Sequence, residues 1–146
     1  METTTSTGRL LGLDVGARRI GVAVSDLLGI TAQGLPTLQR RNKRTDFAEL
    51  ERIIASHNVS EIVVGYPLRL SGAESAQTAK VVEFADELRR RSGLPVHLWD
   101  ERLTSAEANR LLRETEMSIK RRGEVVDQMA AVLILQSYME NRKHSF

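Results

Sequence analysis

The chain has 146 residues, about the length of one domain, so 1–146 is expected to form a single domain with flexible ends at 1–8 and 141–146. It contains no cysteine, which excludes disulfide bonds and thiolate metal sites. No apolar run approaches the ~20 residues that span a bilayer, and the polar start "METTTSTG" is unlike a signal peptide. A soluble cytoplasmic protein is therefore expected.

Positive charge is clustered along the chain, although the formal net charge is only +2. The basic runs are "RRNKR" at 40–44, "RRR" at 89–91 and "KRR" at 120–122. Clusters of this kind are typical of proteins that bind a polyanion, so nucleic acid is the expected partner. The run at 89–91 also has a structural explanation, because cations at the end of a helix interact favourably with its dipole.

The first third of the chain has the pattern of a β-hairpin, an edge strand and a helix. The runs "RLLGLD" and "IGVAVSD" flank a short turn that contains glycine, which predicts two antiparallel strands. "ITAQGLPTLQ" predicts a third strand, and its internal glycine and proline favour a place at the sheet edge. "DFAELERIIASHN" has helical spacing of apolar residues, and Asp46 with Glu49 predicts a capping box at its start.

The rest of the chain alternates strands with helices, which implies parallel strands. "EIVVGYP" and "LPVHLW" predict strands, with a helix between them after the loop "LRLSGAES". Thr104 and Glu107 have capping-box spacing, so a helix is expected to start near Thr104, and "EVVDQMAAVLILQSYME" predicts a final helix against the sheet. This order predicts an α/β ribonuclease H-like fold: a mixed five-stranded sheet, three antiparallel strands then two parallel, flanked by helices.

Acidic residues stand at three element ends that this topology can bring together. They are Asp14 after the first strand, Asp100 and Glu101 after the last, and Asp127 in the first turns of the final helix. Three carboxylates near one point repel one another unless a divalent cation neutralises them, and Mg²⁺ and Mn²⁺ prefer such oxygen ligands. The pattern therefore predicts a metal site of the kind that cleaves phosphodiester bonds.

Each of these acids also has an ordinary structural explanation. Asp14 could be a turn residue before Gly16, Asp100 or Glu101 could favour a helix start, and Asp127 could face solvent. Successive side chains on an extended strand face opposite ways, so only one of Asp100 and Glu101 can readily join Asp14.

Four blocks of the sequence resemble the YqgF/RuvX family: "LGLDVGARRIGVAVSD", "IVVGYPLRLSG", "DERLTSAEA" and "VDQMAAVLIL". The resemblance implies a ribonuclease H-like nuclease in which Asp14, Glu101 and Asp127 are the catalytic acids and hold Mg²⁺ or Mn²⁺. It implies action on structured nucleic acid, either in processing of the pre-16S rRNA 5′ end during ribosome biogenesis or as a Holliday junction resolvase in recombination and repair.

Basic residues in or beside these blocks are candidates for contacts with phosphates. The predicted nucleic-acid-binding residues are Arg18, Arg19, Arg69, Arg102, Lys120, Arg121 and Arg122. Gly12, Gly16 and Gly21 would permit close backbone approach or a positive φ in the hairpin. Aromatic residues make up only 4% of the chain, which favours recognition of backbone shape and charge over base stacking.

Other functions and assemblies stay open from the sequence. A non-catalytic RNA-binding factor is one alternative, and an ATP-using protein is another, although sugar-kinase-like ATPases need two such lobes. Pre-ribosomal particles are a candidate partner. A resolvase makes two symmetric cuts and so needs a homodimer, whereas an rRNA nuclease can act as a monomer.

Overall fold

The computed structural model describes residues 8–66, 76–100 and 119–143, and for 119–122 and 143 it describes the backbone alone. The elements, in chain order, are β1 Arg9–Val15, β2 Arg19–Ser25, β3 Ala32–Gln39, α1 Lys43–Ser56, β4 Val59–Tyr66, α2 Ala76–Ser92, β5 Val96–Asp100 and α3 Ile119–Lys143. The helix start predicted at Thr104 lies outside the described residues. Within the described ranges, no helix combines the length and apolarity required to cross a membrane.

The strands form one five-stranded sheet in the order β3-β2-β1-β4-β5. Strands β1, β2 and β3 pair antiparallel, whereas β4 pairs parallel with both β1 and β5. The predicted mixed sheet, three antiparallel strands followed by two parallel ones, is confirmed. Because β1, β4 and β5 run the same way, their carboxyl ends meet at one edge of the sheet.

Side chains leave the sheet alternately toward two apolar layers. Leu11, Leu13 and Val15 of β1 belong to the cluster that also contains the buried residues of α1 and α2. Leu10 belongs to a second cluster, with Ile134 and other residues of α3. The sheet is therefore covered by α1 and α2 on one face and by α3 on the other.

Helix α1 begins earlier than the capping-box spacing predicts. Its N-cap is Asn42, whose side chain accepts a hydrogen bond from the backbone N–H of Thr45 over 2.8 Å. Asp46 is buried inside the helix and accepts from the backbone N–H of Arg41 over 2.9 Å. The prediction that Asp46 and Glu49 cap this helix is therefore wrong, because Asp46 is used to fix the preceding segment.

Strand β3 lies at the sheet edge, as its glycine and proline predict. Its register with β2 shifts opposite Gly21, and Pro36 occupies the irregularity. Proline has no N–H to donate to a ladder, so an edge strand with a bulge accommodates it.

Glycines of three neighbouring strands lie beneath α3. A Cβ on Gly12 would come 2.9 Å from a leucine Cβ of α3, and a Cβ on Gly21 would overlap the backbone carbonyl of Asp127. A Cβ on Gly34 would meet the side chain of Gln128 at 2.5 Å. Close approach of the helix, one of the two roles predicted for Gly12 and Gly21, is what the structure shows.

Replacing Gly21 by alanine should destabilise the protein more than the same change at Gly34. At Gly21 the new methyl meets main chain, which cannot move without displacing α3, so we expect a loss of about 3 kcal/mol or more. Gln128 can change rotamer by giving up its hydrogen bond to the carbonyl of Leu35, so Gly34→Ala should cost about 1–2 kcal/mol. Urea unfolding followed by circular dichroism measures both, and equal losses would show that α3 shifts freely over β2.

Candidate active site

Two of the predicted acids lie on strands that end at the same edge of the sheet. Asp14 is the last but one residue of β1, and Asp100 is the last residue of β5. Open α/β sheets commonly bind ligands beyond the carboxyl ends of their strands. Glu101 follows Asp100 directly in the sequence and lies outside the described residues.

Asp14 is half-buried on the face of the sheet that α3 covers. Its neighbours Leu13 and Val15 belong to the cluster on the opposite face. Gly12, two residues earlier on the same face as Asp14, packs against α3. Alternation along the strand therefore directs the Asp14 carboxylate toward α3.

Packing of α3 brings Asp127 to the same place. Asp14 is the cross-strand partner of Gly21, and Gly21 lies directly against the backbone of Asp127. The side chain of Asp127 is 22% exposed, so it is neither solvated freely nor fully desolvated. Asp14 and Asp127 thus share one face and one level of the sheet, and the single residue between them has no side chain.

Asp127 is held by an arginine of β2. Arg19 Nε donates a hydrogen bond to Asp127 Oδ2 over 2.6 Å, and the Arg19 side chain is 32% exposed. Hydrogen bonds between charged groups are short and roughly twice as strong as neutral ones. Arg19, predicted from the sequence as a phosphate contact, therefore orients one of the proposed metal-binding carboxylates in this structure.

A glycine inside α3 makes room for that arginine. Gly123 lies one turn before Asp127, and a Cβ there would stand 2.7 Å from Arg19 Nη2. Glycine in a helix interior costs about 1 kcal/mol relative to alanine. Sequence reasoning missed this role because it predicts the final helix from Glu124 onward, whereas α3 begins at Ile119 and contains Gly123.

Asp100 lies on the other face of the sheet. Val96 of β5 belongs to the core under α1 and α2, whereas the indole N–H of Trp99 donates to Ser137 of α3 over 3.0 Å. Asp100 follows Trp99 and is therefore directed away from Asp14. Trp99 packs against the α3 cluster.

The remaining predicted contacts with nucleic acid are only partly described. Arg18 is exposed at the hairpin turn. Lys120, Arg121 and Arg122 lie in the first turn of α3, but their side chains are outside the description. Arg69 and Arg102 fall among the residues that the structure does not describe.

Histidine takes no part in a metal cluster among the described residues. His97 Nε2 lies 3.1 Å from Glu61 Oε1, on the side of the sheet where Arg142 of α3 also reaches Glu61. Within 8–66, 76–100 and 119–143 no three His, Asp or Glu side chains converge as metal ligands. The described part of the candidate site is a pair of aspartates with one arginine.

A protein-family model described as "RuvX: Holliday junction resolvase" matches residues 8–141. A protein of Koribacter versatilis named "Putative pre-16S rRNA nuclease" is 62% identical over 141 residues, covering 97% of this chain and 92% of that protein. A protein of Moorella thermoacetica with the same name is 48% identical over 132 residues, covering 90% of this chain and 94% of its own length.

Solved structures of resolvases have the same fold. A Thermus thermophilus RuvC in complex with a Holliday junction substrate superimposes with a TM-score of 0.57 at 15% identity, covering 93% of this chain and 96% of that one. A fowlpox virus resolvase in complex with Holliday junction DNA gives a TM-score of 0.58 at 10% identity, covering 92% of this chain and 98% of its own.

The pair of Arg19 and Asp127 should be energetically coupled only while residue 123 is glycine. A double-mutant cycle of Arg19→Gln and Asp127→Asn in urea unfolding should give a coupling of about 1 kcal/mol, as expected for a half-buried ion pair. In a Gly123→Ala background the coupling should fall toward zero, because the methyl displaces the guanidinium. Alanine itself favours the helix by about 1 kcal/mol, so Gly123→Ala alone should change stability little.

A cycle of Arg19→Gln with Glu124→Gln is the matched control, since Glu124 follows Gly123 in α3 but makes no ion pair with Arg19. It should show no coupling. Persistence of the Arg19 and Asp127 coupling in the Gly123→Ala protein would contradict the assigned role of this glycine.

Proposed function

This chain belongs to the RuvX family, and from that membership and its paired aspartates we propose that it is a metal-dependent nuclease that hydrolyses phosphodiester bonds in structured nucleic acid. The observation that carries the proposal is the placement of Asp14 and Asp127 on one face of the sheet, separated by Gly21. Membership of this family favours the nuclease over the ATP-using alternative.

The residues of the site fit a divalent cation of the Mg²⁺ or Mn²⁺ type. Asp14 and Asp127 supply carboxylate oxygens, which are the ligands that these ions prefer. The chain has no cysteine, and among the described residues no histidine joins a cluster of metal ligands, so the sulfur and nitrogen ligands that favour other metals are not found beside them. We propose Glu101 as the third ligand, on the strength of the family resemblance. When bound, such an ion activates water and stabilises the leaving oxygen.

The protein's own residues have distinct tasks in this proposal. Asp14 is held by strand pairing and Asp127 by Arg19, so both carboxylates are placed before an ion arrives. Such placement reduces the reorganisation needed at the moment of reaction. The predicted phosphate contacts remain Arg18, Arg69, Arg102 and the run 120–122. In this proposal a single domain, 1–146, carries the whole activity.

Processing of the pre-16S rRNA 5′ end is the favoured reaction. The two relatives compared above, at 62% and 48% identity over nearly the whole chain, are each named "Putative pre-16S rRNA nuclease", which supports action on this precursor. If the substrate is this precursor RNA, pre-ribosomal particles are partners of the protein. We also propose a cytoplasmic location, because both candidate substrates are nucleic acids of the cell interior. Cleavage of Holliday junctions is the second candidate, favoured by the description of the family model, and it requires a homodimer.

Substitution of the acids tests the chemistry. Asp14→Asn, Glu101→Gln and Asp127→Asn should each reduce single-turnover cleavage of precursor rRNA or a synthetic junction by orders of magnitude, because each removes an anionic ligand of the cation. All three should still bind nucleic acid. Asp100→Asn is the matched control: Asp100 lies on the opposite face of the sheet, so this variant should retain most activity.

An inactive Asp100→Asn beside an active Glu101→Gln would overturn the assignment of the third acid. If all four variants cleaved as well as the wild type, the catalytic site would lie elsewhere. A wild type that binds RNA but cleaves neither substrate with Mg²⁺ or Mn²⁺ would be an RNA-binding factor without catalytic activity.

Removal of metal tests the cation directly. EDTA should abolish cleavage, and Mg²⁺ or Mn²⁺ should restore it. Calorimetry should show Mn²⁺ binding that weakens sharply in Asp14→Asn, since half of the described ligand pair loses its charge. Absence of binding by both ions, with and without nucleic acid, would contradict the proposed site.

A further inference from the structure

A groove of about 940 Å³ lies on the side of the sheet covered by α1 and α2. Its walls are the β1–β2 turn, the segment between β3 and α1, the first turns of α1, and one side of α2. It begins at Val15 and Gly16, directly after Asp14 in the sequence. The groove and the candidate active site therefore share the β1–β2 hairpin, one on each side of it.

Hydrogen bonds hold the walls of the groove together. Arg40 Nη1 donates to the carbonyl of Gly16 over 2.7 Å, and Arg40 Nε lies 3.5 Å from the buried carboxylate of Asp46. On the other side, Gln77 of α2 donates to the carbonyl of Val15 over 3.2 Å. The hairpin turn is thus fixed to both helices that line the groove, and the shape is preformed.

Among the groove residues that form no ion pair with a described side chain, positive charge predominates. Three exposed cations, Arg18, Arg41 and Lys80, line it without a side-chain ion pair to any described residue. Of the lining acids, Asp46 pairs with Arg40, and Glu83 alone has no described partner.

The third acid, Glu87, is already neutralised by its neighbours. Hydrogen bonds from Arg91 and Arg90, with Lys43 nearby, lower the pKa of Glu87 to about 2. It therefore stays ionised and fully paired at neutral pH, and the three unpaired cations dominate the groove.

The floor of the groove favours contact with phosphates over contact with bases. Phe47 and Phe84 stack on each other, with ring centroids 4.9 Å apart, and both are buried. Arg91 lies 4.7 Å from the Phe47 ring centroid, and Arg40 lies 5.5 Å from that of Phe84. Neither ring offers a free face on which a base could stack. We therefore expect the groove to recognise the phosphates of a nucleic acid through charge, with little preference for base sequence.

We propose that this groove holds a single-stranded flank of the nucleic-acid substrate, with Arg18, Arg41 and Lys80 contacting its phosphates; the inference rests on the proposed nuclease function. Its volume of about 940 Å³ lies at the upper end of the range for pockets that hold one small ligand, about 300–1,000 Å³, so the groove has room for more than one phosphate. A continuous strand suits it better than a free nucleotide, because the cations stand on three different elements along the groove.

A groove for a single strand restricts which nucleic acids suit the protein as substrates. A nucleic acid with an unpaired extension beside the cleaved bond can occupy both the groove and the acidic edge. An RNA substrate can carry such an extension, whereas the arms of an intact Holliday junction are paired. The groove thus favours the RNA-processing role over the resolvase role.

Two labelled RNAs test the proposal: one hairpin with a blunt end, and the same hairpin with a short single-stranded extension. Fluorescence anisotropy in EDTA, over a salt series, should show tighter binding of the extended RNA to the wild type. Arg41→Gln/Lys80→Gln should lose that advantage, and its salt slope for the extended RNA should fall by roughly 0.7 for each lost contact. Arg44→Gln is the matched control, since Arg44 is exposed in the same basic run but does not line the groove.

The result that would overturn the proposal is an extension that adds no affinity in the wild type, or an advantage that survives in the double variant. Equal loss in Arg44→Gln would show a diffuse charge effect and would also overturn it. So would displacement of the extended RNA by an equal concentration of a mononucleotide, which would identify a small-ligand pocket. Cleavage of the same RNAs with Mg²⁺ is scored separately, so a protein that binds through the groove and cuts neither RNA would refute only the nuclease.

Discussion

The contact between the backbone of α3 and Gly21 is the constraint on which the candidate site depends. Asp14 is positioned by its strand pairing with Gly21, and Asp127 by the helix that rests on the same glycine. The relative position of the two acids is therefore set by main chain rather than by side-chain rotamers. A register slip of one residue in β1 would turn Asp14 to the opposite face and remove it from the site.

Placing two acids together has an electrostatic cost, and Arg19 offsets part of it. The guanidinium supplies a positive charge to Asp127 when no cation is bound, and it leaves Asp127 Oδ1 without a hydrogen-bond partner among the described residues. The glycine that admits this arginine is unfavourable for the helix. Here α3 gives up local stability to orient a carboxylate, a trade between stability and function that is common in active sites.

Periodicity predicted most of the fold, because alternation and helical spacing are local properties of the sequence. The hairpin and the strands β4 and β5 follow from it, and the glycine and proline of β3 predict its place at the sheet edge. The capping-box spacing of Asp46 and Glu49 misplaces the start of α1, because Asn42 caps this helix. Asp46 instead contacts Arg40, and residue spacing in the sequence cannot reveal that contact. The ion pair of the site was not predictable either, since its partners are 108 residues apart and meet only through packing.

The β1–β2 hairpin joins the two functional regions because its residues face both sides of the sheet. Asp14 and Arg19 serve the α3 side, while the turn between them lines the groove on the other. The turn is closed by a hydrogen bond from the N–H of Gly16 to the carbonyl of Arg19, 2.9 Å long, and the Gly16 carbonyl is held by Arg40. A strand in the proposed groove would therefore contact the turn directly before Arg19, the residue that orients Asp127. Because hydrogen bonds fix this turn to β2 and to Arg40, the same short segment positions both the groove wall and the arginine of the candidate active site.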